Sequence, residues 1–367
     1  MPAKYEIKVP ATSANIGPGY DVMGLSLSLY LTVNVSIDND AAAVQDAASY
    51  NVTIAYEGEN SSGLSLDPRK NLITDTALYV LACNGFKQFP YPTTVHVNNC
   101  IPLGRGLGSS GAAVVAGVVL ANVAGSLDLS QQRMLDYCLM IERHPDNVAA
   151  ALVGGFIASY LLGEDDQIKR PTDRLSSAER MQREREDKAA AANSTVSIPP
   201  ENTSQSVQLG CSSKIKAVAI IPEFELATSK ARAVLPKTYA TKDVVFNLQR
   251  LAILTTALGS ETPDPWLIYG AMGDRVHQPY RMHLIPGLPE VLATLNPDNT
   301  PGLLGICLSG AGPTILALAV SNFDEIAAKI QAVFKKQPNG GVATGYKLLD
   351  IVSDGATCVQ KELDTQE

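Results

Sequence analysis

An α+β fold in two domains follows from three features of this chain. Strand-like and helix-like segments are mixed along its length in an order that suggests an α+β class. With 367 residues and 46% hydrophobic content it can bury more than one small core. A charged stretch poor in large apolar side chains, residues 164–213, separates two regions that each hold both kinds of element. The expected division is therefore 1–163, an insertion or linker at 164–213, and a second domain at 214–367.

The elements follow in order. Residues 4–10 and 29–37 alternate apolar and polar side chains as strands do, and 52–56 continues the sheet. Residues 71–83 are amphipathic and helical, 93–98 return to strand, and a glycine-rich loop leads into a helix over 111–124. Ser130 is placed to cap the next helix, which runs to Arg143. Inside the insertion, Ser176-Ser177-Ala178-Glu179 has the form of a capping box, and Glu179 with Arg183 and Glu184 with Lys188 stand at i,i+4 spacing. That pattern predicts a solvated helix flanked by disorder. Beyond it, 215–221 reads as a strand, 243–258 and 266–278 as helices, 303–308 and 314–319 as a strand pair, and 322–335 as a helix.

Composition excludes several classes of function. The longest apolar run, 112–121, is far shorter than the roughly 20 residues that span a bilayer, so no membrane partner is expected. Met1-Pro2-Ala3-Lys4-Tyr5-Glu6 has no apolar signal core, and a cytoplasmic location is the expectation. The six cysteines form no C-x-x-C pair and the four histidines no H-E-x-x-H pattern, which fits reduced thiols and no zinc site. A net charge of −8 argues against a nucleic-acid partner. Any anionic ligand must be held by local groups.

Such groups are concentrated in Pro102-Leu103-Gly104-Arg105-Gly106-Leu107-Gly108-Ser109-Ser110-Gly111-Ala112. Glycines let backbone N–H groups approach an anion closely, and a helix starting near Ser109 aims its unsatisfied amides at the same spot. The two hydroxyls can ligate Mg²⁺ or donate hydrogen bonds. Gly106 to Gly111 satisfies the dinucleotide fingerprint G-x-G-x-x-G, and 93–97 supplies a preceding strand. The acidic residue that fingerprint needs about 20 positions on could only be Asp128, which sits in a turn between two helices. The P-loop pattern fails too, because Gly108 stands where it requires a lysine.

The eleven residues instead resemble the P-x-x-x-G-L-G-S-S-(A/G)-A loop of the GHMP kinases. Val9-Pro10-Ala11-Thr12-Ser13-Ala14-Asn15-Ile16-Gly17-Pro18-Gly19-Tyr20-Asp21 resembles that family's first motif in its homoserine kinase form. Gly305-Ile306-Cys307-Leu308-Ser309-Gly310-Ala311-Gly312-Pro313-Thr314 resembles its third. Ile141-Glu142-Arg143-His144-Pro145-Asp146-Asn147 and residues 245–256 are similar to the fungal homoserine kinases. The resemblance covers nearly the whole chain except the insertion. It implies an N-terminal domain like the second domain of ribosomal protein S5, a ferredoxin-like C-terminal domain, and an active site between them.

The resemblance also implies an activity, ATP-dependent phosphorylation of L-homoserine, with Mg²⁺ as the metal and a homodimer; L-threonine, which shares the acceptor's amino-acid head group, is the expected feedback inhibitor. An amino-acid acceptor calls for a carboxylate against its ammonium and arginine against its carboxylate. Asp21, Arg232 in an A-R-x-x-L-P segment and Arg281 in P-x-R match the family's acceptor contacts, as do Asn15 and His144. Asp146 is the implied base and Asn147 orients the hydroxyl, although an unassisted transfer is also chemically reasonable. For the metal the family places a glutamate ten residues before the aspartate; Asp136 stands there with Ser110 as partner, and Glu142 is the alternative. Asn71 and Leu72, in Asp67-Pro68-Arg69-Lys70-Asn71-Leu72, match the segment lining the adenine. Two competing readings remain: a kinase for another alcohol such as mevalonate, and a sensor that binds nucleotide without turnover.

Overall fold

Alternation along the strands of two sheets decides which side chains enter a shared core. The computed structural model describes residues 2–40, 49–58, 63–162, 196–338 and 340–361. The chain runs β1 (Ala3–Ala14), β2 (Met23–Ile37), β3 (Val52–Glu57), α1 (Leu72–Cys83), β4 (Thr93–Asn99), α2 (Ser109–Ala124), α3 (Gln131–Glu142), α4 (Pro145–Val153), β5 (Phe156–Leu161) and β6 (Ser204–Leu209). Then come β7 (Lys216–Pro222), α5 (Thr228–Ala233), α6 (Thr241–Ala257), α7 (Pro265–Ala271), α8 (Gln278–Arg281) and a 3-10 turn at Met282–Leu284. The chain ends with α9 (Leu288–Thr294), β8 (Leu303–Leu308), β9 (Ile315–Ala319), α10 (Phe323–Lys335), β10 (Thr344–Asp350) and β11 (Thr357–Lys361).

The first sheet has the order β11-β1-β2-β4-β3, and β5 pairs with the start of β2 and with β6. Its β1–β2 ladder runs from Ala3 opposite Ile37 to Ala14 opposite Gly24, with a register shift at Pro10/Ala11, where proline has no N–H to continue the ladder. The second sheet, β10-β7-β9-β8, is antiparallel throughout. Its first strand lies between its fourth and third, the ferredoxin-like order.

Period-two alternation splits the second sheet between two clusters. Ala217 and Ala219 of β7, with Leu316 and Leu318 of β9, join the large core that also holds β1, β2 and α1 to α4. Val218 and Ile220, with Ile315 and Ala317, face the other way onto Leu288 and Val291 of α9 and Ile326, Ile330 and Phe334 of α10. Each fully buried Val, Leu, Ile or Phe among them contributes roughly 1.5–3 kcal/mol by leaving water. Helix α2 passes through the large core because its residues are small. A Cβ at Gly117 would lie 2.5 Å from the Ile73 carbonyl oxygen of α1.

The structure departs from the sequence expectation in identifiable places. The single helix expected over 266–278 is two, because the Asp274 carboxylate accepts the N–H groups of Val276, His277 and Gln278 and starts α8 afresh. Residues 204–209, inside the stretch expected as insertion, form a strand of the first sheet. The capping box and i,i+4 pairs at 176–188 lie outside the described residues. Ser130 caps α3 as expected, accepting from Arg133 N–H at 3.2 Å.

Between the sheets' helices lies a fully buried histidine. His277 donates its Nε2 proton to the Gly17 carbonyl (2.9 Å), and its Nδ1 is without a partner. Burial holds its pKa below the ordinary value, which is about 6.5. Below that pH the unfolded chain binds a proton that the folded chain resists, so stability falls as pH drops. Urea unfolding between about pH 7.5 and about pH 5 should show a shallower loss for His277→Gln than for the parent; equal slopes would assign the acid sensitivity elsewhere.

Candidate active site

The glycine-rich loop reaches its neighbours through three left-handed residues, Gly104 (φ +61°), Gly106 (φ +79°) and Gly108 (φ +70°). A Cβ on Gly108 would lie 1.9 Å from Thr12 Oγ1, and one on Gly106 2.5 Å from the Ser309 carbonyl oxygen. In their absence the backbone is stitched to both other motifs. Thr12 N–H donates to Leu107 O (3.1 Å), Thr314 N–H to Arg105 O (3.1 Å), and Ser309 Oγ to Gly106 O (2.6 Å). Ser13 Oγ lies 2.7 Å from Ser309 Oγ, and Gly310 N–H donates to Ala14 O (2.9 Å).

Gly108 is the N-cap of α2 and supplies no side-chain acceptor, and the first turn holds no acidic residue. The helix therefore opens its unsatisfied amides and positive dipole end onto a cavity of about 460 Å³ lined by Gly104, Gly106, Gly108, Ser109, Ser110 and Gly111. This is an anion site built from backbone.

A second wall comes from the junction of α3 and α4, where Arg143 turns left-handed (φ +63°) and Pro145 starts the next helix. Ser110 Oγ donates to Glu142 Oε1. Glu142 Oε2 lies 3.5 Å from His144 Nε2, and His144 Nδ1 lies 2.8 Å from Asp146 Oδ1. The hydrogen bond to Asp146 holds the His144 pKa above its ordinary value against opposing burial. Asn147 N–H donates to Asp146 Oδ1 (2.9 Å), and Thr12 Oγ1 donates to Asn147 Oδ1 (2.7 Å).

The remaining wall carries paired charges. Arg232 forks onto Asp21, with Nη1 to Oδ2 at 3.2 Å and Nη2 to Oδ1 at 2.9 Å, and Nη1 also donates to Tyr20 Oη at 3.1 Å. Asn15 and Asp21 both adopt positive φ, and Asn15 Oδ1 accepts the Asp21 N–H at 2.9 Å. Arg281 is 1% exposed; its Nε and Nη1 donate to Ala231 O and Gly310 O. One cavity thus joins an amide cradle for phosphate, a carboxylate flanked by an imidazole, and charges of both signs suited to a zwitterion.

Residues 71–155 match the family of GHMP kinases N terminal domain. Over 364 residues the chain is 52% identical to a homoserine kinase of Saccharomyces cerevisiae, covering 98% of this chain and 100% of that protein. Over 354 residues it is 51% identical to one of Schizosaccharomyces pombe, covering 96% and 98%. The chain belongs to the homoserine kinase family. A crystal structure of homoserine kinase from Cytophaga hutchinsonii matches its fold with a TM-score of 0.69 at 26% identity, over 97% of each chain.

Of the residues expected from the family motifs, Asn15, Asp21, His144, Asp146, Asn147, Arg232 and Arg281 line the cavity together with the loop's glycines and serines. Pro102, Leu103, Arg105, Leu107 and Ala112 do not line it. Leu107 and Ala112 are buried in the core, and Arg105 turns away to Glu223 O and Glu225. Asn71, expected to line the adenine, does not border this cavity. Its Oδ1 caps Ile73 and Thr74 N–H, and its Nδ2 donates to Tyr56 Oη and Ser65 O, so the amide is fully used. Leu72, 38% exposed, lies outside the cavity as well.

Asp136, expected as the metal ligand, does not line the cavity. It is buried beneath the chain returning to β6, where its carboxylate accepts from Asn202 N–H, Thr203 N–H and Thr203 Oγ1, each at 2.9 Å. Arg133 flanks it at 3.6 Å. Glu142, the alternative carboxylate, is the one that meets Ser110. Thr12, Leu226 and Thr228 were not singled out, although Thr12 positions Asn147 and the other two line the cavity. Thr228 stands one helical turn before Arg232, the only signal that pointed to it.

Gly108→Ala would place a side chain on a left-handed residue, a strain of roughly 1–2 kcal/mol, and against Thr12. Calorimetry should find ATP binding weakened at least about tenfold in this variant. Parent-like affinity would show that the cradle does not depend on this backbone.

Proposed function

We propose that the chain transfers the γ-phosphoryl group of ATP to the side-chain hydroxyl of L-homoserine, yielding O-phospho-L-homoserine and ADP, a step of threonine biosynthesis. The observation that carries this reading is the pairing, in one cavity, of the α2 amide cradle with the Asp21, Arg232 and Arg281 cluster. Asp21 and Arg232 neutralise each other across two hydrogen bonds. An amino-acid head group brings one charge of each sign, so it exchanges that single ion pair for two, its ammonium on Asp21 and its carboxylate on the arginines. A ligand without an ammonium offers Asp21 nothing in exchange for Arg232, so its carboxylate can engage both arginines only by stranding Asp21, which costs affinity. Mevalonate, with no ammonium, is disfavoured on that ground.

In this reading the amides and hydroxyls of residues 104–111 hold the β- and γ-phosphates. Ser110 and Glu142, a hydroxyl and a carboxylate meeting at the start of α2, fit Mg²⁺, which takes few protein ligands and completes its shell with phosphate and water oxygens. Among the described residues no group of three or more His, Cys, Asp or Glu is arranged to hold a metal, so these two would share the ion with the nucleotide. When bound, the ion supplies charge neutralisation on the phosphate oxygens.

The acceptor oxygen forms its bond to the γ-phosphorus as the bond to the bridging oxygen of ADP breaks, and the hydroxyl proton passes to the Asp146 carboxylate. His144 and the Asn147 amide hold that carboxylate in place, while Thr12 fixes the Asn147 side chain beside it. The unit that begins with residues 1–163 serves the nucleotide, and the one formed from 214–367 supplies the two arginines. L-Threonine shares the acceptor's head group and would compete for the clamp. A cytoplasmic homodimer completes the reading; among the described residues no helix is long and apolar enough to cross a membrane.

ADP release should be followed with Mg²⁺-ATP and L-homoserine, D-homoserine, L-serine, mevalonate and galactose in parallel. Selectivity for L-homoserine, with competition by L-threonine, is expected; ATP binding without release for any acceptor would favour the sensor. Asp146→Asn should lower turnover about 10²- to 10⁴-fold with an unchanged melting temperature. Undiminished turnover in that variant would remove the base and leave unassisted transfer.

A further inference from the structure

The two arginines of the acceptor clamp come from different helices, α5 and α8, and carry like charges into one cavity. Asp21 pairs with Arg232 only until the acceptor's ammonium takes that carboxylate, so something else must then set the arginines' spacing without neutralising them. A carboxylate would do the first and not the second, since it would compete with the acceptor's own carboxylate for the same N–H groups. A phenol can do both: its oxygen accepts a hydrogen bond and its ring face attracts a cation, while the residue stays uncharged.

Tyr20 is placed for that role. Its hydroxyl accepts from Arg232 Nη1 at 3.1 Å. The Arg281 guanidinium lies 5.0 Å from its ring centroid, and that of Arg232 at 5.8 Å. The ring is held in turn by His277, stacked at 5.5 Å with an interplanar angle of 26°. His277 is anchored to Gly17 O, and its N–H is taken by Asp274, whose other oxygen accepts from Asn247 Nδ2. Tyr20 is not among the residues that line the cavity; it stands behind them. We infer that Tyr20 is a positioning residue that sets Arg232 and Arg281 at the spacing a single α-carboxylate requires, and so makes the site selective for α-amino acids. The inference rests on the L-homoserine reading of the cavity.

The test is steady-state kinetics on the full chain with Mg²⁺-ATP and L-homoserine. Tyr20→Phe keeps the ring against His277 and Arg281 and removes only the acceptor for Arg232. It should raise KM for L-homoserine about five- to tenfold, the net worth of one ordinary hydrogen bond, with kcat within about twofold and KM for ATP unchanged. Tyr20→Leu, which also removes the ring, should raise KM for L-homoserine about 100-fold, again leaving KM for ATP in place. A Tyr20→Phe enzyme with parent KM for L-homoserine overturns the inference, as does one in which both KM values and the melting temperature shift together. A parent chain that binds Mg²⁺-ATP and phosphorylates no acceptor overturns the homoserine reading itself, and the inference with it. An active parent with an indifferent Tyr20→Phe variant overturns the inference alone.

Discussion

Left-handed backbone at Gly104, Gly106 and Gly108 is the constraint on which the rest of the site depends. Positive φ turns the loop so that its carbonyls point at Thr12, Thr314 and Ser309. The carbonyls are then spent on the neighbouring motifs, and the amides at the start of α2 are left for a ligand. The missing Cβ atoms matter as much as the dihedrals, because Thr12 Oγ1 and the Ser309 carbonyl occupy the space they would fill. Three stretches far apart in the chain are thereby brought into one hydrogen-bonded cluster. Thr12 also donates to Asn147, so the same contact that closes the loop sets a side chain on the opposite wall.

Charge in the cavity is arranged to favour exchange over accumulation. The chain as a whole is acidic, and the phosphate end of the site relies on amides and a helix dipole, whose partial charges need no counter-ion. The Asp21 end carries full charges, one arginine paired with a carboxylate and the other held by neutral groups. Asp21 and Arg232 satisfy each other, and His144 lies between Glu142 and Asp146. A zwitterion can enter such a site with no net change in buried charge, which keeps desolvation from erasing the binding energy.

The legible parts of this protein were those where local backbone or alternation carries the information. The glycine loop and first motif are spelled by residues with special φ, and strands β1 and β2 of the first sheet by alternating apolar and polar side chains. Spacing along the chain misled where the third dimension intervened. Asp136 and Glu142 are six residues apart on α3, about 600° of helical rotation, so they leave the helix in directions about 120° apart. Only the later one, beside the left-handed Arg143, meets α2. The break between α7 and α8 was hidden because Asp274 caps the new helix with a side chain that reads as an ordinary surface acid. Strand β11 is short, exposed and without alternation; its place comes from pairing with β1.

The shared core explains how two units can present one site without a hinge between them. Ala217, Cys307 and Leu316 of the second sheet lie in the same buried cluster as Ile16, Leu107 and Ala112 of the first motif and the loop. Displacing the arginine-bearing unit from the cradle would open that cluster, at a cost of roughly 25 cal/mol for each Å² of apolar surface returned to water. The arginines and the amides are therefore held at a set separation before any ligand arrives, and reactants bound between them lose their freedom of approach in the binding step rather than in the chemical one. Arg281 shows the same logic in a single residue: buried among backbone carbonyls and an aromatic ring, it is fixed by partners that do not neutralise it.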